Sequence, residues 1–186
     1  MQEIRTPNTR ESILDTAEAL FAQQGHDGTS MRQITGAAGV NLASVNYHFG
    51  SKESLVQAVL KRRLEVLNRE RLRLLDELES QSGGKPLKPS LIVDAFFGTL
   101  LRLAADPAQA GSTFLPLLER TMTDPSDFIR ALFAEEYADV LERYRNALFA
   151  ALPDVPKAEI VWRFQFMLGA TSYAIIGTDL LRSCLL

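Results

Sequence analysis

TSMRQITGAAGVNLASVNYHFGSKESL, residues 29–55, holds two short helical patterns on either side of a glycine turn. Ser30 and Gln33 have the spacing of a capping box, which predicts the start of one helix. Gly39 ends that helix, and Asn41 is a residue type that begins another. The second pattern is very short, because another glycine follows its Tyr-His-Phe triplet. A preceding helix is needed to brace the pair.

Apolar residues recur at helical spacing along almost the whole chain, whereas strand signals are scarce. The pattern predicts a first helix from about Asn8 to Gln24 and a long fourth helix from Lys52 to about Glu79. The one obvious linker is SQSGGKPLKPS, residues 80–90. Further helices are expected at about 89–105, 108–123 (broken or kinked by Pro116), 126–151 and 156–182. We predict an all-α fold with two domains, residues 1–62 and 63–186.

The composition is ordinary for a globular protein, with 46% hydrophobic and 23% charged residues among 186. One cysteine, Cys184, and two histidines cannot form an internal disulfide or a four-ligand zinc site, so we expect no metal and no cofactor. The N-terminus lacks an apolar secretory core, and the run from Phe164 to Gly177 is too short to span a bilayer. We therefore expect a cytoplasmic protein without membrane association. The apolar end at Leu186 leaves open whether further residues follow.

The charge balance argues against attraction of the whole molecule to polyanions, since the net charge is −3 and the pI is near 5.5. Residues 1–62 are formally neutral as well, with six Lys and Arg against six Asp and Glu. Any binding to nucleic acid must therefore come from a local arrangement of side chains. We expect modest non-specific affinity and reliance on a dimer that doubles the contacts.

Two short helices joined by a glycine turn are typical of the helix-turn-helix, whose second helix lies in the DNA major groove. Val45 and Phe49, four residues apart, are expected to face the preceding helices. Asparagine can read adenine bidentately, and Leu or Ala can contact a thymine methyl. The predicted groove contacts are Leu42, Ala43, Asn46 and Tyr47, and the predicted phosphate contacts are Thr29, Ser44, Tyr47, His48 and Lys52.

Lys52 opens the fourth helix, where the amide dipoles disfavour a cation. A phosphate between its ammonium and the helix end would explain the lysine, since helix N-termini bind anions. An alternative for Tyr47 and His48 is that they only cap and pack a helical corner. Asn41 is expected to be only a helix cap.

The stretch 29–55 resembles the DNA-binding region of the TetR family of bacterial transcriptional regulators. The family pattern has a Thr-Ser cap, an Ala-Gly-Val turn, a reader ending in Tyr-His-Phe and a Ser/Thr-Lys-Glu helix start, and the likeness covers about Asn8 to Leu60. It implies a three-helix helix-turn-helix DNA-binding domain joined by the long fourth helix to a C-terminal ligand-binding and dimerisation bundle. It also implies phosphate contacts by Thr29, Tyr47, His48 and Lys52. Many relatives have Lys and Gly where this chain has Leu42 and Ala43, so the base sequence read here does not follow from the family.

A palindromic operator read in successive major grooves needs two reading heads about 34 Å apart, and hence a twofold dimer. The last predicted helix is apolar nearly all round and must be buried by something. The resemblance implies a homodimer interface there, whereas the alternative is an intramolecular core helix. The candidate interface residues are Phe166, Gly169, Ala170, Tyr173, Ile176 and Leu180.

The resemblance further implies that the C-terminal domain encloses a small-molecule effector, whose binding moves the fourth helix and spreads the reading heads. Such a ligand must bind the spread state more tightly. The apolar character of the candidate pocket residues favours an apolar effector. The predicted DNA-reading helix and its flanks are most similar to a branch of the family with a fatty-acid-responsive regulator, so an acyl ligand is a further expectation. Arg102, Arg120 and Arg163 are expected to pair at the surface, the alternative being a contact with an effector carboxylate. The candidate pocket residues, each of which has plain core packing as its alternative, are Phe96, Phe97, Leu100, Leu118, Met122, Phe133, Tyr137 and Trp162.

We predict a ligand-responsive repressor with three partners: double-stranded operator DNA, a hydrophobic small molecule and a second copy of the chain. The sequence has no Walker loop, Rossmann fingerprint, HExxH or Gly-x-Ser-x-Gly motif, so we expect no enzymatic activity. The alternative function is a helical adaptor that binds only protein.

Overall fold

Helices account for every regular element among the residues that the computed structural model describes, which are 9–105, 111–122 and 126–176. In chain order they are α1 (Thr9–Gly28), α2 (Met31–Ala38), α3 (Leu42–Phe49), α4 (Lys52–Ser82), α5 (Pro89–Val93), a π-helical segment (Asp94–Gly98), α6 (Thr99–Ala105), α7 (Gly111–Met122), α8 (Asp127–Ala151) and α9 (Lys157–Ile176). The predicted all-α fold is confirmed. None of the helices in these ranges has the length and apolar character that crossing a membrane requires.

The helix limits depart from the predictions where the backbone geometry is unusual. The helical run that begins at Thr9 is interrupted at Gly25, the predicted stop, where φ is 74°, and a further short helical stretch extends α1 to Gly28. The predicted helix 89–105 contains the π-helical segment, which hydrophobic spacing does not reveal. α7 continues through Pro116, so the proline does not break it. The predicted start at 108 and end at 182 lie outside the described residues.

The two short helices begin at the predicted caps. The Ser30 hydroxyl oxygen accepts a hydrogen bond from the Gln33 N–H at 3.2 Å, and Gln33 Oε1 accepts one from the Ser30 N–H at 2.8 Å. Gly39 ends α2 in the left-handed conformation, with φ of 66°, which a residue with a side chain rarely adopts. Asn41 Oδ1 accepts from the Ser44 N–H at 2.8 Å and so caps α3. The predicted capping box and the Asn41 cap are confirmed.

The described chain forms two compact units, to which α4 and α8 both contribute. Unit 1 comprises the residues up to Arg63 together with residues 112–132. Within it, α1, α2 and α3 pack against one another. Because α7 belongs to this unit, a helix from the C-terminal half of the sequence joins the three N-terminal helices. The fully buried side chains of unit 1 include Ile13, Leu14, Phe21, Ile34, Val45, Leu55, Val59, Leu60 and Phe114.

Unit 2 comprises the described residues between 64 and 111 and those from Phe133 to Ile176. Phe96 lies in its core, with its ring centroid 4.9 Å from that of Phe97, 5.0 Å from that of Tyr144 and 4.9 Å from that of Phe164. Burial raises the pKa of the Tyr144 phenol, whose O–H donates to the Arg71 backbone carbonyl at 2.6 Å. One cluster of buried core residues in unit 2 consists of Leu75, Ile92, Ala95, Phe96, Phe97, Val140, Tyr144, Leu148 and Ile160.

Candidate nucleic-acid interface

Helix α3 has one buried side and one exposed side. Val45 is completely buried, whereas the side chains of Tyr47 and Leu42 are 87% and 51% exposed. Ala43 and Asn46 are exposed as well. This is the division of faces that the sequence spacing predicts. The anchor at Val45 therefore holds a short helix whose outer side carries the predicted groove contacts.

The C-terminal end of α3 is also open to a partner. His48 is exposed, and its ring centroid lies 5.2 Å from that of Tyr47 in an edge-on arrangement. Phe49 is half-buried, with the Arg10 guanidinium 5.5 Å from its ring centroid. At the other end of the helix, the half-buried Ser44 donates its hydroxyl proton to Asn41 Oδ1 at 3.0 Å. That proton is therefore used in capping α3.

Thr29 is buried, with only 1% of the residue exposed. Its hydroxyl is therefore not accessible in this structure for the predicted phosphate contact. Its hydroxyl donates to the Gly25 carbonyl at 2.8 Å, with a weaker approach to the Leu20 carbonyl at 3.3 Å. A hydroxyl has a single proton to donate. In this structure the threonine closes the C-terminal end of α1, which positions the start of α2.

The Lys52 ammonium binds two backbone carbonyl groups of the same chain, which its position at the start of α4 does not predict. Its ammonium donates to the carbonyl oxygen of His26 at 2.9 Å and to that of Thr29 at 3.2 Å. These carbonyls lie at the C-terminal end of α1, where the helix dipole favours a cation. A phosphate is therefore not needed to explain the lysine. An ammonium has three N–H groups, so one remains for a further acceptor.

A cluster of charged residues joins α1 to α4 within unit 1. Glu18 is 2% exposed and accepts from Arg62 Nη2 at 2.7 Å, from Arg63 Nε at 2.9 Å and from the Thr113 hydroxyl at 2.9 Å. Arg62 also pairs with Asp15 at 2.8 Å and with Glu11 at 3.1 Å. Burial alone lowers the pKa of Arg62, but the hydrogen bonds that Arg62 donates to these three carboxylates outweigh this effect, so the net shift is upward. Sequence reasoning missed this cluster, because its partners are far apart along the chain.

Helix α7 contacts the end of α1 through Arg120. The guanidinium donates from Nε to the Ala22 carbonyl and from Nη2 to the Gln23 carbonyl, both at 3.1 Å. Arg102 pairs with Asp94 at 3.3 Å, and Arg163 pairs with Glu159, as expected for arginines at the surface. Arg120 instead binds the last turns of α1, which ties α7 to the helices that carry α3.

The predicted pocket residues fall in both units. Phe96, Phe97 and Leu100 are buried in unit 2, whereas Leu118 is buried in unit 1. Phe133 and Tyr137 are half-buried, with ring centroids 5.9 Å apart. Trp162 is 70% exposed, so in this structure it does not line an interior. The side chain of Met122 lies outside the described residues.

Helix α9 carries large apolar side chains in solvent. Trp162, Phe166 and Tyr173 are 70%, 77% and 62% exposed, and Gly169 and Ala170 are exposed between the latter two. These positions lie on one side of the helix, because they are separated by three or four residues or by multiples of a turn. A groove of about 200 Å³ between α8 and α9 has Phe164 and Leu168 in its lining. The predicted interface residues Ile176, through its side chain, and Leu180 lie outside the described residues.

Two family models match the sequence of this helical chain. Residues 13–59, which include α2 and α3, match a model described as bacterial regulatory proteins, tetR family. Residues 94–185 match a model described as tetracyclin repressor-like, C-terminal domain. The chain belongs to the TetR family. The TetR resemblance seen in residues 29–55 is therefore confirmed, and it extends to the C-terminal half.

Relatives of this TetR-family chain are named as transcriptional regulators. The repressor KstR2 of Rhodococcus jostii RHA1 is 43% identical over 58 residues, which cover 31% of this chain and 28% of that protein. The negative regulator IcaR of the biofilm operon icaADBC of Staphylococcus aureus Newman is 36% identical over 59 residues, which cover 32% of each protein. The chain thus aligns with less than a third of the length of these curated relatives.

Solved structures share the fold over most of the TetR-family chain. The fatty acid degradation regulator FadR of Bacillus halodurans superimposes with a TM-score of 0.68 at 15% identity, covering 97% of this chain and 88% of that one. KstR2 of Mycobacterium tuberculosis, described as a ketosteroid transcriptional regulator, superimposes with a TM-score of 0.61 at 19% identity, covering 92% and 83%. At these identities the likeness establishes the arrangement of helices.

Proposed function

We propose that this TetR-family chain is a transcriptional repressor that binds operator DNA through α3. The observation that carries the proposal is the contrast within one helix of eight residues, where Val45 is fully buried and Tyr47 is 87% exposed. A short helix held by an inward anchor, with amide, phenol and apolar side chains outward, matches what the major groove admits and presents.

The exposed side chains receive roles according to their chemistry. Asn46 reads a base edge, and Leu42 and Ala43 contact thymine methyl groups. Tyr47 contacts both the groove and a backbone phosphate, and His48 and the third N–H of Lys52 bind backbone phosphates. Thr29 and Ser44 act as positioning residues, because each uses its hydroxyl proton within the protein.

We propose that the repressor is a homodimer joined through α8 and α9. The exposed Trp162, Phe166 and Tyr173 supply apolar area, and Gly169 and Ala170 let a second helix approach closely. Large exposed apolar patches mark interaction surfaces. A twofold axis there presents two copies of α3 to the two halves of a palindromic operator.

The proposed division of labour follows the domains 1–62 and 63–186, with DNA binding in the first and effector binding and dimerisation in the second. A small, apolar or acyl effector releases the operator by favouring a conformation in which the reading heads are spread. Helix α7 supports such coupling, because Arg120 binds the end of α1 and Thr113 binds Glu18. A shift of α7 therefore acts directly on the helices that hold α3.

Electrophoretic retardation of the DNA upstream of the chain's own gene tests the proposal. We expect salt-sensitive, sequence-specific binding, since phosphate contacts release counterions. Tyr47→Ala is expected to abolish the specific complex, whereas Tyr47→Phe retains the ring and weakens binding less. Leu101→Ala is the control for loss of an exposed large side chain outside both α3 and the proposed dimer interface.

Retention of specific binding by Tyr47→Ala would refute the assignment of α3 as the reader. If the wild-type protein retards no DNA even at low salt, the regulator is excluded in favour of the protein-binding adaptor. Circular dichroism of each variant shows whether it is folded, so that a loss of binding is not mistaken for unfolding.

A further inference from the structure

Arg71 on α4 is a charged side chain in the interior of unit 2. The residue is 2% exposed, although a guanidinium stays protonated in proteins. Its central carbon lies 3.9 Å from the centroid of the Phe96 ring and 5.6 Å from that of the Tyr137 ring. Both aromatic residues belong to the predicted effector pocket. The positive charge thus lies among side chains that the sequence predicts to line an apolar pocket.

The hydrogen-bond partners of Arg71 are neutral. Nε donates to the backbone carbonyl of Phe96 at 3.0 Å, and Nη1 donates to Asn68 Oδ1 at 3.1 Å. The Asn68 amide nitrogen donates in turn to the backbone carbonyl of Glu136 at 2.7 Å, which is consistent with this orientation of the amide. Among the described residues, no carboxylate pairs with Arg71.

Other arginines on the same helix pair with carboxylates, unlike Arg71. Arg73, two residues further on, pairs with Glu70 and Glu77 at the protein surface, and Arg62 binds three carboxylates. Acidic residues are therefore available along α4, yet none is turned inward to Arg71. An uncompensated buried charge destabilises a folded protein, and the contact with the Phe96 ring offsets only part of that cost.

Arg71 still has donors to offer. A guanidinium has five N–H groups in a planar fork that matches a carboxylate bidentately. The hydrogen bonds to Phe96 and Asn68 use the single N–H of Nε and one of the two N–H groups of Nη1. Nη2 has no acceptor among the described residues. An incoming anion would therefore supply both the missing negative charge and the missing acceptors.

We propose that Arg71 binds the carboxylate of the effector, whose apolar body packs against the aromatic side chains around Phe96. This inference rests on the proposed regulator function and specifies its ligand as an amphipathic acid. A purely structural role is the competing explanation, in which Arg71 only secures the carbonyl of Phe96 in the π-helical segment. The two roles differ in whether the charge of a ligand matters.

Isothermal titration calorimetry with decanoate and with decan-1-ol, both below their aggregation limits, separates the two roles. These probes share an alkyl chain and differ in the anionic head. We expect decanoate to bind the wild-type protein at least about tenfold more tightly, the effect of charge-assisted hydrogen bonds. Arg71→Met is expected to remove this preference, because the apolar side chain keeps the volume and loses the charge. Arg73→Met is the matched control and is expected to retain it.

Arg71→Lys keeps the charge without the planar fork, so we expect an intermediate preference for decanoate, which a purely structural role would not produce. Three results would each overturn the inference: no binding of decanoate, equal affinity for the two probes, or a preference that persists in Arg71→Met. Retardation of operator DNA by the same preparations keeps this test separate from the proposed function. Normal DNA binding without a carboxylate preference refutes only the role of Arg71.

Discussion

Separate alanine substitutions at Val45 and Tyr47 distinguish the two sides of α3. Val45→Ala removes two methyl groups from a side chain that is completely buried. At about 0.8 kcal/mol per methylene, the lost transfer free energy is about 1.6 kcal/mol. The residual cavity adds a few tenths, and the higher helix propensity of alanine returns about as much. We expect the free energy of unfolding to fall by about 1.5 to 2 kcal/mol.

Tyr47→Ala should retain stability and lose DNA affinity, because the tyrosine side chain is 87% exposed. Substitutions at such positions change stability by less than about 0.5 kcal/mol. The affinity for operator DNA should fall at least about fivefold, since each reading contact contributes about 1 to 3 kcal/mol. Val45→Ala should bind DNA within a small factor of wild type at temperatures where it is folded, because its outer face is unchanged.

Urea unfolding followed by circular dichroism gives the stability of each variant, and fluorescence anisotropy of a labelled operator at fixed salt gives the DNA affinity. The expected outcome is a double dissociation, in which one variant loses stability and the other loses binding. A Tyr47→Ala variant that unfolds as easily as Val45→Ala, or that keeps the wild-type affinity, would refute the assignment of the two sides of α3.

Three further predictions follow from single contacts. Glu18→Gln removes the buried carboxylate that the half-buried Arg62 and Arg63 share, although Arg62 keeps its pairs with Asp15 and Glu11, so urea unfolding should show a loss of about 2 kcal/mol; an unchanged midpoint would rule out a stabilising role for the cluster. Asn41→Ala removes the cap of α3 and should cost about 1 kcal/mol, which Asn41→Ser should largely restore. Phe166→Asp should convert the proposed dimer to a monomer in sedimentation velocity, whereas Leu101→Asp, at an exposed apolar residue of α6, should not; a dimeric Phe166→Asp would place the interface elsewhere.

Local patterns were sufficient to predict the fold class and the two sides of α3. The caps at Ser30 and Asn41 depend on residues three positions apart, and the burial of Val45 follows from helical periodicity. These features involve neighbours along the chain, so the sequence alone expresses them. The same holds for the family, whose motif is contiguous in residues 29–55.

Contacts between distant segments could not be predicted in the same way. Lys52 binds the carbonyl of His26, 26 residues earlier, and Thr113 binds Glu18, 95 residues away. Hydrophobic spacing contains no information about such pairs. Arg71 did leave a signal, since it occupies the apolar stripe of α4, four residues from both Leu67 and Leu75. A charged residue at a stripe position is a candidate for a buried charge.

Methylation interference on the operator upstream of the chain's own gene tests most directly whether α3 reads DNA. Dimethyl sulfate modifies guanine N7 in the major groove and adenine N3 in the minor groove, so the two grooves are scored in one experiment. We expect N7 methylation to block binding at two clusters about one helical turn apart, related by the operator dyad. Interference confined to adenine N3, or none at guanine N7 in an operator whose half-sites contain guanines, would contradict it.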